Sequence, residues 1–130
     1  MGLPYRIQVI EFFTAYDPSG VFTYDEAGGV AVTSGRREGH WAQDGQIFVN
    51  VVTLASTSID VRGEGRFRLP GGTYTDWAQI FSQNFAVVSA IPSLITLGTN
   101  LPIDDFRVGV RANGNVAGDS ITVYGRLSKW

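Results

Sequence analysis

Apolar and polar residues alternate most cleanly near the C-terminal end of the chain. Phe106, Val108, Val110 and Ala112 share one parity, and Arg107, Gly109 and Arg111 share the other, which is the period of two of a half-buried strand. After the Gly- and Asn-rich segment 113–119 the alternation resumes, with Ile121, Val123 and Leu127 on one face and Thr122, Tyr124 and Arg126 on the other. Two such runs in succession predict a β-hairpin with a loop too long for a two-residue turn. One face is predicted to enter a core. The other, bearing Arg, Thr and Tyr, is left for water or a partner.

Upstream, residues 6–14 are rich in β-branched and aromatic side chains, but Ile7 and Val9 differ in parity from Ile10 and Phe12, so a bulge is predicted near Val9-Ile10. Turn chemistry at 17–20 leads to two short predicted strands, 21–24 and 30–33, which read as a hairpin joined through 25–29. The segment 34–43 has no period and reads as a loop, closed by a turn at Asp44-Gly45. Residues 46–55 are apolar on both parities and predict a strand in the middle of the assembly. Two further strands are predicted at 58–62 and 65–69, with a bend or bulge at Gly63-Glu64-Gly65, and Pro70-Gly71-Gly72 ends the run.

The stretch 75–90 supports two readings. Asp76 and Gln79 have capping-box spacing, with Trp77, Ile80 and Phe81 as a helical stripe over 76–83, while Trp77, Phe81 and Phe85 also share one strand parity. Strand is preferred. Residues 93–100, between Ile91-Pro92 and Leu101-Pro102, read as a turn-rich connection. About eight short strands with Gly-rich turns and at most one short helix predict an all-β, antiparallel sandwich or barrel.

Composition bounds this picture. The 130 residues fit one domain, 1–130, with a short N-terminal arm at 1–5. Charged residues are only 17% of the chain against 44% hydrophobic, and 10 basic residues nearly balance 12 acidic ones. That balance speaks against nucleic acid as a partner, and the sparse charge favours a surface partly covered by other subunits. Lys129 is the only lysine, and the weakly hydrated guanidinium suits contact surfaces; an arginine-rich genome explains the bias equally well. No apolar run is long enough for a membrane helix, and the first residues lack a signal-peptide pattern, so the protein is expected to be soluble as made.

Candidate chemistry is thin. There is no cysteine, which excludes disulfides, thiolate zinc sites and cysteine nucleophiles. The single histidine, His40 beside Trp41, reads as a surface or packing residue in a loop that also holds Arg36 and Arg37. Asp104, Asp105 and Asp119 lack calcium-loop spacing and read as turn-forming acids. Glu11, Glu26, Glu38 and Glu64 carry no mark of a glycosidase pair, and neither a phosphate-binding glycine loop nor a Gly-x-Ser-x-Gly elbow is present. No enzyme activity and no cofactor are expected. Arg62, Arg66 and Arg68 share one strand parity and form a stripe that either meets an acidic partner or faces water to blunt an edge.

The runs Leu101-Pro-Ile-Asp-Asp-Phe-Arg-Val-Gly-Val-Arg-Ala and Gly118-Asp-Ser-Ile-Thr-Val-Tyr-Gly-Arg-Leu resemble the ends of small jelly-roll proteins of tailed phages that decorate or cement capsids. The same pattern with Trp77 upstream is similar to carbohydrate-binding jelly rolls. The first resemblance implies a homo-oligomer, often a trimer, bound to the major capsid protein or other virion subunits on the capsid exterior. Apolar residues at the chain ends, Leu3, Pro4, Tyr5 and Trp130, are the candidate contacts on that reading, with the arginine stripe. The second implies exposed aromatics on one face, with Trp41, Tyr74 and Trp77 as candidates.

Overall fold

The computed structural model describes residues 6–25, 42–66, 69–101 and 105–129. They form eight strands: β1 (Arg6–Tyr16), β2 (Thr23–Tyr24), β3 (Ala42–Thr53), β4 (Ser58–Arg66), β5 (Ala78–Phe85), β6 (Ser93–Leu101), β7 (Asp105–Asn113) and β8 (Ser120–Lys129). One sheet has the order β1-β8-β3-β6 and the other β2-β7-β4-β5, with every neighbouring pair antiparallel. Among the described strands only β4 and β5 are both consecutive in the chain and hydrogen-bonded to each other. All other connections between described strands pass from one pairing to a distant one, which is the double-sheet jelly roll.

The alternation predicted from the sequence puts the core where it should lie. Phe106, Val108, Val110 and Ala112 of β7 and Ile121 and Val123 of β8 are buried, together with Ile47, Val49 and Val51 of β3 and Ile59 and Val61 of β4. Removing these side chains from water supplies the main driving force for closing the two sheets on each other. On β1, Ile10, Phe12 and Phe13 are all buried. Two adjacent inward residues require a break in the pleat, and the pairing with β8 shifts between Glu11 and Phe13, slightly later than the Val9-Ile10 position expected.

Phe12 lies edge-on to Phe106, and its ring also covers Gly125 of β8, where an added Cβ would stand 2.4 Å from the Phe12 Cε2 atom. Glycine there is a seat for the ring. Gly109 has the same relation to Tyr24 on the outer face of the second sheet, at 2.5 Å.

Several expectations are corrected. The two C-terminal strands are not a hairpin: β7 pairs with β2 and β4, whereas β8 pairs with β1 and β3 in the other sheet. The connection between them crosses the sandwich, with Gly114 and Gly118 at φ of +60° and +112°. Residues 93–100 are not a turn-rich link but most of strand β6, paired with β3. Asp44-Gly45 lies inside β3, where the glycine marks a register shift against β6 and no turn. The strand β4 runs unbroken through Gly63-Glu64-Gly65, and the irregularity falls on its partner, because Gly63 faces Phe81 while Glu64 faces Gln79. Residues 78–85 are strand, so the helical alternative for 76–83 falls away. β3 is central in its sheet as expected, although its outward Val52 is exposed. The predicted strand 30–33 and the loop with His40 and Trp41 lie outside the described residues.

Candidate functional site

The outer face of the second sheet gathers most of the chemistry. Strand parity turns Asp60, Arg62, Glu64 and Arg66 of β4 outward, beside Arg107 and Arg111 of β7. Arg107 donates from Nε to the Glu64 Oε1 atom at 2.8 Å and from its Nη2 at 2.7 Å, and Arg62 approaches the same carboxylate at 3.9 Å. Glu64, itself buried, therefore sits between two guanidiniums.

Aromatic side chains interleave with these cations. Arg107 lies 3.7 Å from the Tyr24 ring centre and 4.3 Å from that of Trp77, while Arg66 lies 4.3 Å from Trp77 and 4.1 Å from Tyr74. Arg62 and Arg111 both meet the Phe22 ring, at 3.9 and 4.5 Å. Their Nε–H groups are buried with no hydrogen-bond acceptor, and the electron-rich ring face attracts each guanidinium as a whole. This ladder ties residues 22–24 and 74–77 down onto the sheet.

At one end of the ladder, Asp60 accepts hydrogen bonds from Asn84 at 2.7 Å, Asn113 at 3.0 Å and Arg111 at 2.7 Å. Burial alone would raise its pKa, but those hydrogen bonds and the Arg111 charge outweigh it and hold the carboxyl below the usual range. Asp119 is fixed in a comparable way at the sandwich end. It accepts from the N–H of Ala55 at 2.7 Å, the N–H of Ser56 at 2.8 Å and the Ser56 hydroxyl at 2.5 Å. Desolvation again pushes up, and the three donors win, leaving this carboxyl lowered as well. Both oxygens of Asp119 thus clamp the β7–β8 crossing to residues 55–56 in the β3–β4 link. Among the described residues no acidic or histidine cluster has the makings of a metal site.

Of the residues singled out from sequence, Arg62 and Arg66 do share the outer face, as their parity required. They do not form a bare stripe, because Glu64 stands between them and aromatic rings cover them. Leu3, Pro4, Tyr5, Arg68 and Trp130 lie outside the described residues.

A second surface was not anticipated. From Trp77 to Ile103 the sequence has no Asp, Glu, Lys, Arg or His. The fold uses this run for β5 and β6, one end strand of each sheet. The link 86–92 between them is fastened to β3 by Ser89, which donates its N–H to the Val51 carbonyl at 2.9 Å and accepts the Val51 N–H on its hydroxyl at 3.0 Å. Inward, Ile80, Phe81, Ile95 and Leu97 pack on the core. Outward, Val87 and Ile91 are 73% and 77% exposed, and Val88, Leu94 and the neighbouring Val52 are about half exposed. An open recess of about 380 Å³ lies along residues 83–91 and Ser93. The signal was available in the sequence as a charge gap; scanning for present motifs does not detect it.

Fold and surface together define a double-sheet jelly roll with one uncharged flank and one outer face of interleaved arginine and aromatic residues. Among solved structures, the chain is similar to one from Desmodium yellow mottle tymovirus, with a TM-score of 0.39 and 10% identity over 99% of this chain and 89% of that one. No family model matches, and no curated protein matches. Among the described residues no helix is long and apolar enough to cross a membrane.

Proposed function

We propose that this protein is a virion structural component acting by protein–protein contact, of the kind that decorates or cements a capsid, and that it has no catalytic role. The observation that carries this reading is the uncharged flank of β5 and β6, where Val87, Val88, Ile91 and Leu94 are displayed to solvent on a double-sheet jelly roll, an architecture widely used for capsid subunits. Exposing such a patch is costly unless another protein covers it. Its partners on this reading are the major capsid protein or other virion subunits, with further copies of the chain, on the particle exterior. The chain-end residues Leu3, Pro4, Tyr5 and Trp130 remain proposed contacts.

The carbohydrate-binding alternative draws less support. A sugar ring stacks on an open aromatic face, but Trp77 and Tyr74 carry the guanidiniums of Arg66 and Arg107 against their rings. The deciding experiment is cosedimentation of the purified chain with particles from its own source. Saturable pelleting at a fixed ratio to the shell subunit is expected. A chain that stays in the supernatant yet is retained on a polysaccharide column overturns the proposal.

A further inference from the structure

We infer that β6 is a dimerisation edge: two copies of this chain pair their β6 strands antiparallel about a two-fold axis, joining two four-stranded sheets into one of eight. This deepens the contact-protein reading by naming one partner, a second copy, and it is tested on the purified chain with no particle present. Either idea therefore fails without deciding the other.

The outer edge of β6 is open. Among the described residues β6 is hydrogen-bonded to β3 on one side only, and it ends its sheet. An unpaired edge is a template for another strand, and proteins ordinarily blunt it with a charge, a proline, a bulge or shortness. Ser93–Leu101 is nine residues long and contains no charged residue and no proline, and its one register shift, at 96–98, leaves residues 93–96 in unbroken pairing. Of the other end strands, β1 contains Arg6 and Glu11 and two register shifts and β2 is two residues long, while β5 is as uncharged as β6 and has one register shift as well.

Charge favours a second copy as the partner. In a two-fold contact each group faces a surface identical to its own, so any net charge on the patch meets its like. Among the described residues, 77–101 form a flank free of ionisable side chains that tolerates that juxtaposition. Every other strand of five or more residues, β5 aside, carries at least one Asp, Glu, Lys or Arg. β5 belongs to the same flank.

The flank is also large enough. Nine residues at about 3.3 Å each make an edge of about 30 Å, and two sheets about 10 Å apart with their outer side chains make a flank of about 20 Å. That is on the order of 600 Å² per copy, or about 1,200 Å² in all, at the lower end of specific interfaces. Val87, Val88, Ile91 and Leu94 supply its apolar part.

The test is sedimentation equilibrium of the full chain across a concentration series, with hydrogen exchange at the lowest and highest concentrations. A monomer–dimer equilibrium is expected, with amides of β6 slowing as the dimer fills. Ile91→Lys with Leu94→Lys, both at exposed positions, should weaken the dimer at least about tenfold, and more at low salt. Val9→Lys on the opposite edge strand should leave it unchanged. A mass that stays monomeric throughout, a trimer, a dimer indifferent to the double substitution, or β6 exchange that does not depend on concentration each overturns the inference.

Discussion

Asp119 gives the sharpest test of how this sandwich is held. Its carboxylate, 4% exposed, takes hydrogen bonds from Ala55 N–H, Ser56 N–H and the Ser56 hydroxyl, and it stands where the chain leaves the β7 sheet to begin β8. Asp119→Ala orphans both N–H groups, while the Ser56 hydroxyl keeps the Val116 carbonyl at 3.1 Å as an acceptor. Water reaches Ala55, which is exposed, so its N–H is counted as nothing lost. The Ser56 N–H faces a buried site, and losing its hydrogen bond to a charged group makes the substitution cost about 2 kcal/mol. Asp119→Asn keeps one carbonyl oxygen for the two N–H groups and loses the charge, so about 1 kcal/mol is expected.

Urea unfolding followed by circular dichroism measures both, with an unchanged m value showing that the native fold is retained. The same pair reports on pH. Because the folded pKa of Asp119 lies below the ordinary 3.8, the unfolded chain binds more protons in acid. Its contribution is fully present above the unfolded value and is lost as pH falls through the folded one. The Asn variant should therefore lose stability with acid more gently than the wild type, the remaining slope including Asp60, whose pKa is also lowered. A loss under about 1 kcal/mol for Asp119→Ala, or identical acid slopes for Asn and wild type, refutes the clamp.

Other substitutions probe separate contacts. Gly125→Ala drives a methyl into the buried Phe12 ring and should cost about 1–3 kcal/mol, whereas Gly109→Ala meets the half-exposed Tyr24, which swings aside at smaller cost; equal losses in thermal unfolding would contradict that ranking. Arg107→Lys keeps the charge and loses the flat guanidinium between Tyr24, Trp77 and Glu64, and about 1–2 kcal/mol less stability is expected in urea titration. Removal of residues 1–5 together with Trp130 should weaken cosedimentation with particles and leave the far-ultraviolet spectrum intact; undiminished pelleting would remove the chain ends from the proposed contacts.

Strand membership was legible wherever side chains decide it locally, and sheet membership was not. The inward parity of Phe106, Val108, Val110, Ile121 and Val123 follows directly from alternation. That β7 and β8 part into different sheets depends on partners more than fifty residues away, such as Ser58 opposite Asn113 and Thr53 opposite Ser120, and no local pattern records it. β6 was hidden by its position. Pro92 and Gly98 are breakers by composition, but on an end strand one lies just before the first paired residue and the other faces Gly45 at a register shift. The arginine face was half legible. Parity located Arg62 and Arg66 correctly, while the groups that contact them, Glu64 apart, come from residues 22–24 and 74–77. The Asp119 clamp reaches back more than sixty residues to Ser56 and left no spacing to find.

The position of β8 between β1 and β3 has a consequence for synthesis. The last of the eight strands to be made is the one that joins the first and third, so neither can complete its ladder until residues 120–129 have been synthesised. Ile10, Phe12, Ile47 and Val49 must wait in a nascent chain with their eventual neighbours Ile121 and Val123 not yet made. Slowing elongation should lengthen that wait without shortening the search, and a chaperone that shields unpaired strands should raise the yield of this protein more than that of a chain built from sequential hairpins.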